Sequence, residues 1–212
     1  NAGEGVRFRA GEGIGTVTRE GLELDVGEPA INPAPRRLIV AEVADVAAAH
    51  GVSPDVEVEI AIPGGEQLAK KTLNGRLGIV DGLSVLGTTG VVIPFSCSAW
   101  IHSIHRSIDV ARAAGIEHAA AATGSTSEVA VKTLYNLPEE ALIDMGDFAG
   151  GTLKYIRRHP IRRLTIAGGF AKLGKLGAGL LDLHSKRGRI DLNWMAGCAA
   201  SSGASALLVK DI

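Results

Sequence analysis

The chain has 212 residues, 46% of them hydrophobic but only 4% aromatic, with 28 glycines and a formal net charge of −1. A charge so close to zero excludes general attraction to nucleic acid or a membrane surface. Two cysteines, Cys97 and Cys198, exclude a disulfide framework. The length suits one large or two small domains with real cores. With so few aromatics, packing must rely on close-set Ala, Val, Ile and Leu, the profile of an α/β protein. No stretch reads as a signal peptide or a membrane span, so the cytoplasm is the default expectation.

In chain order, Val6 to Arg9, Ile14 to Thr18 and Leu22 to Val26 alternate like short strands around Gly-rich turns. Gly11, Gly13 and Gly15 are spaced as in nucleotide loops but lead into a strand, which makes a β-turn the better reading. Asn32 and Pro33 read as the N-cap and first position of a helix, with Leu38, Ile39, Val43 and Val46 as its apolar stripe and Gly51 as its end. Capping does not account for Glu28, or for Arg36 and Arg37 in the first turn, where the helix dipole opposes positive charge. The two arginines hint at an anionic ligand; solvent exposure explains them as well. Asp55 to Ile62 alternates as a half-solvated strand, Pro63 to Gly65 stops it, and Glu66 to Lys71 makes a short helix. The run from Leu77 to Phe95 contains Gly87-Thr88-Thr89-Gly90, a loop whose backbone would let a ligand approach closely. A domain boundary is expected at roughly residues 85 to 96.

Ser96 to Ala114 reads as a helix capped by Ser96 or Ser98. Its Cys97, His102 and His105 offer only two ligands on one face, too few for a metal site, so no metal is assigned. The stretch from Ile116 to Phe148 is the most informative. An apolar small-residue run ends in Thr123-Gly124-Ser125-Thr126-Ser127, an amphipathic helix follows, and a second apolar run ends on Asp144. That is half of a dinucleotide-binding βαβ unit, with an anion-favouring helix N-terminus at its turn. Asp144 lies 20 residues after Gly124, close to the ~20 at which an acid meets a ribose hydroxyl. With one glycine in the turn, the residues fit either a nucleoside site or an ordinary strand–helix turn.

A helix over Gly150 to His159 and a strand at Leu164 to Ala167 come next. Gly169 to Lys175 then fits G-x-x-x-x-G-K, but Leu176 stands where a phosphate loop needs Ser or Thr for Mg²⁺. Nucleotide hydrolysis is thereby disfavoured, while anion binding through Lys172 stays open. His184 to Lys186 should close a helix, and Ile190 to Ala206 reads as one further helix.

Five segments, in order, carry a resemblance: GEPAINPAPR, PGGEQLAKKTLNGRLGIVDGLSVLGTTG, ATGSTSE, MGDFAGG and AGGFAKLGKLGAGLLDLHS. Together they resemble the CbiD family of cobalt-precorrin-5B (C1)-methyltransferases of cobalamin biosynthesis, over roughly residues 12 to 190. Family members are longer at both ends, so the chain is expected to be a central piece. Ser96 to His102 departs from the acidic, Met-containing stretch of many members and would mark a subgroup.

The resemblance implies an α/β protein of two domains. Residues 1–90 would form a mixed α+β domain like that of a ribosomal protein and GHMP kinases, and residues 91–212 a three-layer α/β/α domain that binds S-adenosyl-L-methionine. The partner would be the small-molecule corrinoid, with no nucleic acid and no membrane; an exposed sheet edge would permit a homodimer. Thr123, Gly124, Ser125, Thr126 and Ser127 would line the donor pocket, Asp144 or Asp147 would accept the ribose hydroxyls, and Gly168, Gly169 and Lys172 would complete the edge. Arg36, Arg37 and Lys175 would meet corrinoid carboxylates, with Thr88 and Thr89 facing the macrocycle. Glu28 and His184 would face it as catalytic candidates, His184 holding or removing a proton or equally capping its helix. The rival readings are a phosphate-binding kinase-like enzyme and a non-catalytic corrinoid or tetrapyrrole carrier.

Overall fold

The computed structural model describes residues 3, 5–87 and 96–210. They divide into two units, one of Asn1–Ala99 with Asp109–Gly115, the other of Trp100–Ile108 with Ile116–Ile212. The expected boundary loop, with Thr88 and Thr89, lies largely outside the described residues.

The first unit pairs β1 (Val6–Ala10) and β2 (Thr16–Val17) with distant partners across helix α1 (Pro33–His50). Strand β3 (Val56–Ile60) lies parallel to β1, Val6 opposite Val56 and Ala10 opposite Ile60. After the short helix α2 (Gly65–Ala69), β4 (Ile79–Val80) runs antiparallel to β2. Val17, Ala30, Leu77, Ile79 and Val110 form the core. Leu22 to Val26 is not the expected strand but a series of bends, with only Leu22 and Leu24 packing on that core. The cause is Gly21, which takes φ +97° where a Cβ would come within 2.7 Å of the Asp109 carbonyl.

Helix α1 begins after Asn32 with Pro33 in its first turn and ends on left-handed Gly51, as expected, although the Asn32 side chain makes no capping bond. The face it buries is different from the expected one. Pro35 and Ala47 are buried and Ile39 and Val43 half-buried, an i, i+4 row, while Leu38 and Val46 point to solvent.

The glycine run is a backbone junction. Gly13 has φ +74°, and a Cβ there would collide with the Ile62 carbonyl and lie 2.8 Å from the Gly65 amide. Gly65 and Gly82 in turn press on the Gly13 backbone, and Leu83 N–H donates to the Gly13 carbonyl at 2.9 Å. Close packing of main chain, rather than a nucleotide, requires these glycines.

The second unit is a parallel sheet between helical layers. Helix α3 (Cys97–Ala113), capped by Ser96 through the Ala99 amide, sends its residues 100–108 into it. Strand β5 (His118–Ala122) leads through α4 (Ser125–Tyr135) to β6 (Leu142–Asp144). Helix α5 (Ala149–Arg158) then leads to β7 (Arg163–Ala167), giving the order β6-β5-β7, all parallel. Ala119 and Ala121 face Ile104, Ile108, Ile143, Met145 and Ala149. Ala120 faces Val131, Leu137, Ala141 and Leu142 on the other side. This is a three-layer α/β/α arrangement.

Helix α6 (Phe170–Gly177) is followed by a 3₁₀ turn, Ser185–Arg187, then by α7 (Leu192–Ser201) and α8 (Ala206–Lys210). The single helix expected over Ile190 to Ala206 is therefore two, broken around Gly203, which has φ +85°.

Gly13→Ala should lower unfolding stability by about 2–3 kcal/mol, since both the positive φ and the backbone collision oppose a side chain; denaturant midpoints of the two proteins check this. Asp55 gives an acid-dependent prediction. Bonds from the Gly3 N–H, the Ser53 hydroxyl and the Gly5 N–H lower its carboxyl from 3.8 to about 2. A folded value below the unfolded one adds stability above pH 3.8 that disappears as pH falls toward 2. Asp55→Asn should flatten the stability-versus-pH curve across that window.

Candidate functional site

In β5 the residue opposite Asp144 of β6 is Ala122, which also stands opposite Ala167 of β7. All three strands therefore end level. The Ala122 carbonyl accepts from the Met145 and Gly146 amides at 2.9 and 3.2 Å, and the Thr123 amide donates to the Ala167 carbonyl at 2.9 Å. Just beyond this edge the chain turns into two helices. Gly124 caps α4 and Gly169 caps α6, and neither cap makes a side-chain bond. First-turn amides of both helices thus face the carboxyl edge of the sheet. Strand β6 lies on one side of β5 and β7 on the other, so consecutive crossovers diverge there, the position at which open α/β sheets bind ligands.

Gly124, Ser125 and Thr126 are exposed at this edge and Asp144 is half-buried. A Cβ on Gly124 or Gly169 would meet nothing within 4 Å, leaving open space above both turns. Gly168 is tighter: a Cβ would come within 2.9 Å of the Thr123 side chain. The Ser127 hydroxyl turns back to the Gly124 carbonyl at 2.8 Å, fastening the turn.

Lys172 bridges the edge. Its ammonium lies 2.9 Å from Asp147 Oδ1 and donates to the Thr123 carbonyl at 3.2 Å. The lysine side chain is 35% exposed and the aspartate 24%, so a cation is held at this edge, partly shielded from water. Thr123 to Ser127, Asp144, Asp147, Gly168, Gly169 and Lys172 thus gather in one place.

The remaining candidates divide between the two units, with Thr88 and Thr89 lying outside the described residues. Glu28 and Arg36 belong to the first unit and pair with each other at 2.7 Å. The Arg36 guanidinium also donates to the Ile31 and Pro29 carbonyls and lies over the Phe8 ring, which ties the loop before α1 to the helix. Arg37 is exposed. Lys175 is buried, with its ammonium 3.4 Å from the Leu183 and His184 carbonyls, so it does not reach the surface where a corrinoid carboxylate would meet it. The expected phosphate loop is absent, because α6 starts directly at Phe170 and Lys175 sits deep within it. That arrangement removes the phosphate-loop ground for the kinase-like reading. His184 closes no helix; its Nδ1 accepts from the Lys186 amide and caps the 3₁₀ turn.

Two features were not read from the sequence. His105 stacks on Tyr155 at 3.9 Å between centroids, and Tyr155 stacks on His159 at 4.0 Å, so His105 serves packing. Trp100 stands at the edge itself, its indole N–H donating to the Asp144 carbonyl at 3.3 Å. Its signal was an aromatic in an aromatic-poor chain. Among the described residues no three His, Cys, Asp or Glu side chains gather as metal ligands, and no helix is long and apolar enough to cross a membrane.

The fold is that of an α/β protein whose candidate site lies at the carboxyl edge of a three-stranded parallel sheet. Residues 1–94 match the family model CbiD. The chain is 67% identical over 210 residues to a cobalt-precorrin-5B C(1)-methyltransferase of a Bradyrhizobium species, covering 99% of this chain and 56% of that protein. It is 64% identical over 208 residues to the protein of the same name from Paramagnetospirillum magneticum (98% and 58%) and 62% over 204 residues to that of Brucella canis (96% and 55%). A crystal structure of the cobalamin biosynthesis protein CbiD from Archaeoglobus fulgidus aligns at 25% identity over 94% of this chain and 58% of that one, with a TM-score of 0.34. The chain thus resembles the CbiD family model over residues 1–94 and, along nearly its whole length, proteins named cobalt-precorrin-5B C(1)-methyltransferase. It spans between 55% and 58% of the length of these curated relatives.

The ion pair at the edge is measurable. A double-mutant cycle with Lys172→Met and Asp147→Asn in urea unfolding should return a coupling of about 1 kcal/mol, modest because solvent screens both groups.

Proposed function

We propose that the full-length protein transfers a methyl group from S-adenosyl-L-methionine to carbon 1 of cobalt-precorrin-5B, giving cobalt-precorrin-6A, as a cytoplasmic enzyme of cobalamin biosynthesis. The donor site in this reading is the carboxyl edge of β6-β5-β7. The observation that carries it is the convergence of Asp144, the Thr123-Gly124-Ser125 turn and Lys172 on the divergence point of a parallel sheet, in a chain whose curated relatives bear that enzyme name.

The residues suit such a donor. Asp144, ending β6 beside the turn, would accept the ribose hydroxyls. The uncapped first turn of α4 and the Lys172 ammonium would hold the amino-acid carboxylate. Asp147 would take the α-ammonium while remaining within reach of Lys172. When bound, the donor supplies a methyl activated by a sulfonium, so no protein nucleophile is required. The protein's work is alignment and the exclusion of water. Residues 91–212 are assigned the donor and residues 1–90 a share in the corrinoid, with exposed Arg37 as a partner for its carboxylates.

Calorimetric titration of the full-length protein with S-adenosylhomocysteine, which cannot turn over, tests this. Binding in the roughly micromolar range is expected, with Asp144→Ala weakening it at least about tenfold by removing both ribose contacts. A folded wild-type protein that takes up no heat from the ligand would sink the donor-site assignment.

A further inference from the structure

We propose that Trp100 is the stacking surface for the adenine of the donor, a specificity-determining contact; this rests on the donor site assigned above. The argument begins with how the indole is held. Its N–H bonds to the main-chain carbonyl of Asp144, the residue whose carboxylate is assigned to the ribose. One residue's backbone therefore separates the ring from the ribose contact. An adenine joined to that ribose must lie beside it, and Trp100 presents an aromatic surface there.

The indole is also positioned for the task. Gly146 takes φ +55°, and a Cβ there would be in ordinary contact with Trp100 Nε1 and Cζ2 at 3.5 Å, so the indole's N–H edge lies beside this glycine. Phe148 lies 6.4 Å away between centroids at 43°, bracing the ring. These contacts orient the indole, yet the residue remains 45% exposed and belongs to none of the three buried clusters. Trp194 behaves differently, with its ring pressed on Gly177 so closely that a Cβ there would come within 2.6 Å. A large aromatic fixed by its edge, with open surface beside a ribose-binding acid, is the arrangement that receives a base.

The test compares wild type, Trp100→Phe and Trp100→Ala of the full-length protein, titrated with S-adenosylhomocysteine and with 5′-methylthioadenosine, which lacks the amino-acid part. Stacking predicts that Trp100→Ala weakens both ligands by roughly tenfold or more, that Trp100→Phe retains most of the affinity, and that ligand quenches the emission present in wild type and missing from Trp100→Phe. Circular dichroism identifies any variant that fails to fold, in which case Trp100→Phe and the emission difference decide. Wild-type binding with unchanged affinity in Trp100→Ala and no quenching overturns the proposal and leaves the donor site standing. Absence of S-adenosylhomocysteine binding to the wild type overturns the donor site, and this inference with it.

Discussion

The second unit is arranged around a strand made almost wholly of alanine. Ala119 to Ala122 of β5 are at most 1% exposed, with helices packed on both faces and a parallel strand on each side. Alanine has a low intrinsic preference for strands, so the strand exists because its neighbours need a thin central element. A methyl group is small enough for α3 and α5 on one side and α4 on the other to approach closely. That closeness lets Ile104, Ile108, Ile143 and Met145 fill one layer and Val131, Leu137 and Leu142 the other. A larger side chain at any of the four positions would force those layers apart. The three strands end level, with Ala122 opposite both Asp144 and Ala167, and two helix N-termini meet there.

In the first unit the corresponding constraint is main-chain contact. Gly13, Gly65 and Gly82 press backbone against backbone, and Arg36 fastens the loop before α1 by reaching two carbonyls, the Glu28 carboxylate and the Phe8 ring. An arginine in a first helical turn is unfavourable by the dipole alone, and Glu28 supplies the countercharge. Its placement is therefore resolved within the fold, without a ligand.

What could be read beforehand divides along the same lines. The β5–α4–β6 unit was legible because its signals are local: an apolar run, a turn, a 3.6-residue period and an acid at a fixed spacing. The α4 start, the α1 boundaries and the alternating β3 strand were legible for the same reason. Lys175 was misplaced because G-x-x-x-x-G-K describes order and not conformation; glycines that suggest a loop here let Ile190 and the α7 residues Met195 and Trp194 seat against α6. Trp100 was invisible as a site residue because its partner is a carbonyl 44 residues away. Arg36 and Glu28 were each noticed, yet their pairing depends on how the chain folds back before α1, which periodicity does not encode. In the first unit the strands Val6–Ala10 and Val56–Ile60 were visible singly, but not their parallel pairing across α1.

The alanine strand has a further consequence for synthesis. On the ribosome β5 emerges before either partner, since β6 begins 20 residues after the strand's last residue and β7 ends at residue 167. A central parallel strand left waiting for its neighbours is ordinarily a template for wrong chains. Four consecutive alanines present little hydrophobic surface and weak strand preference, so the waiting strand is a poor nucleus for aggregation. The residue that allows dense layers in the finished protein also keeps the nascent one quiet until β6 and β7 arrive.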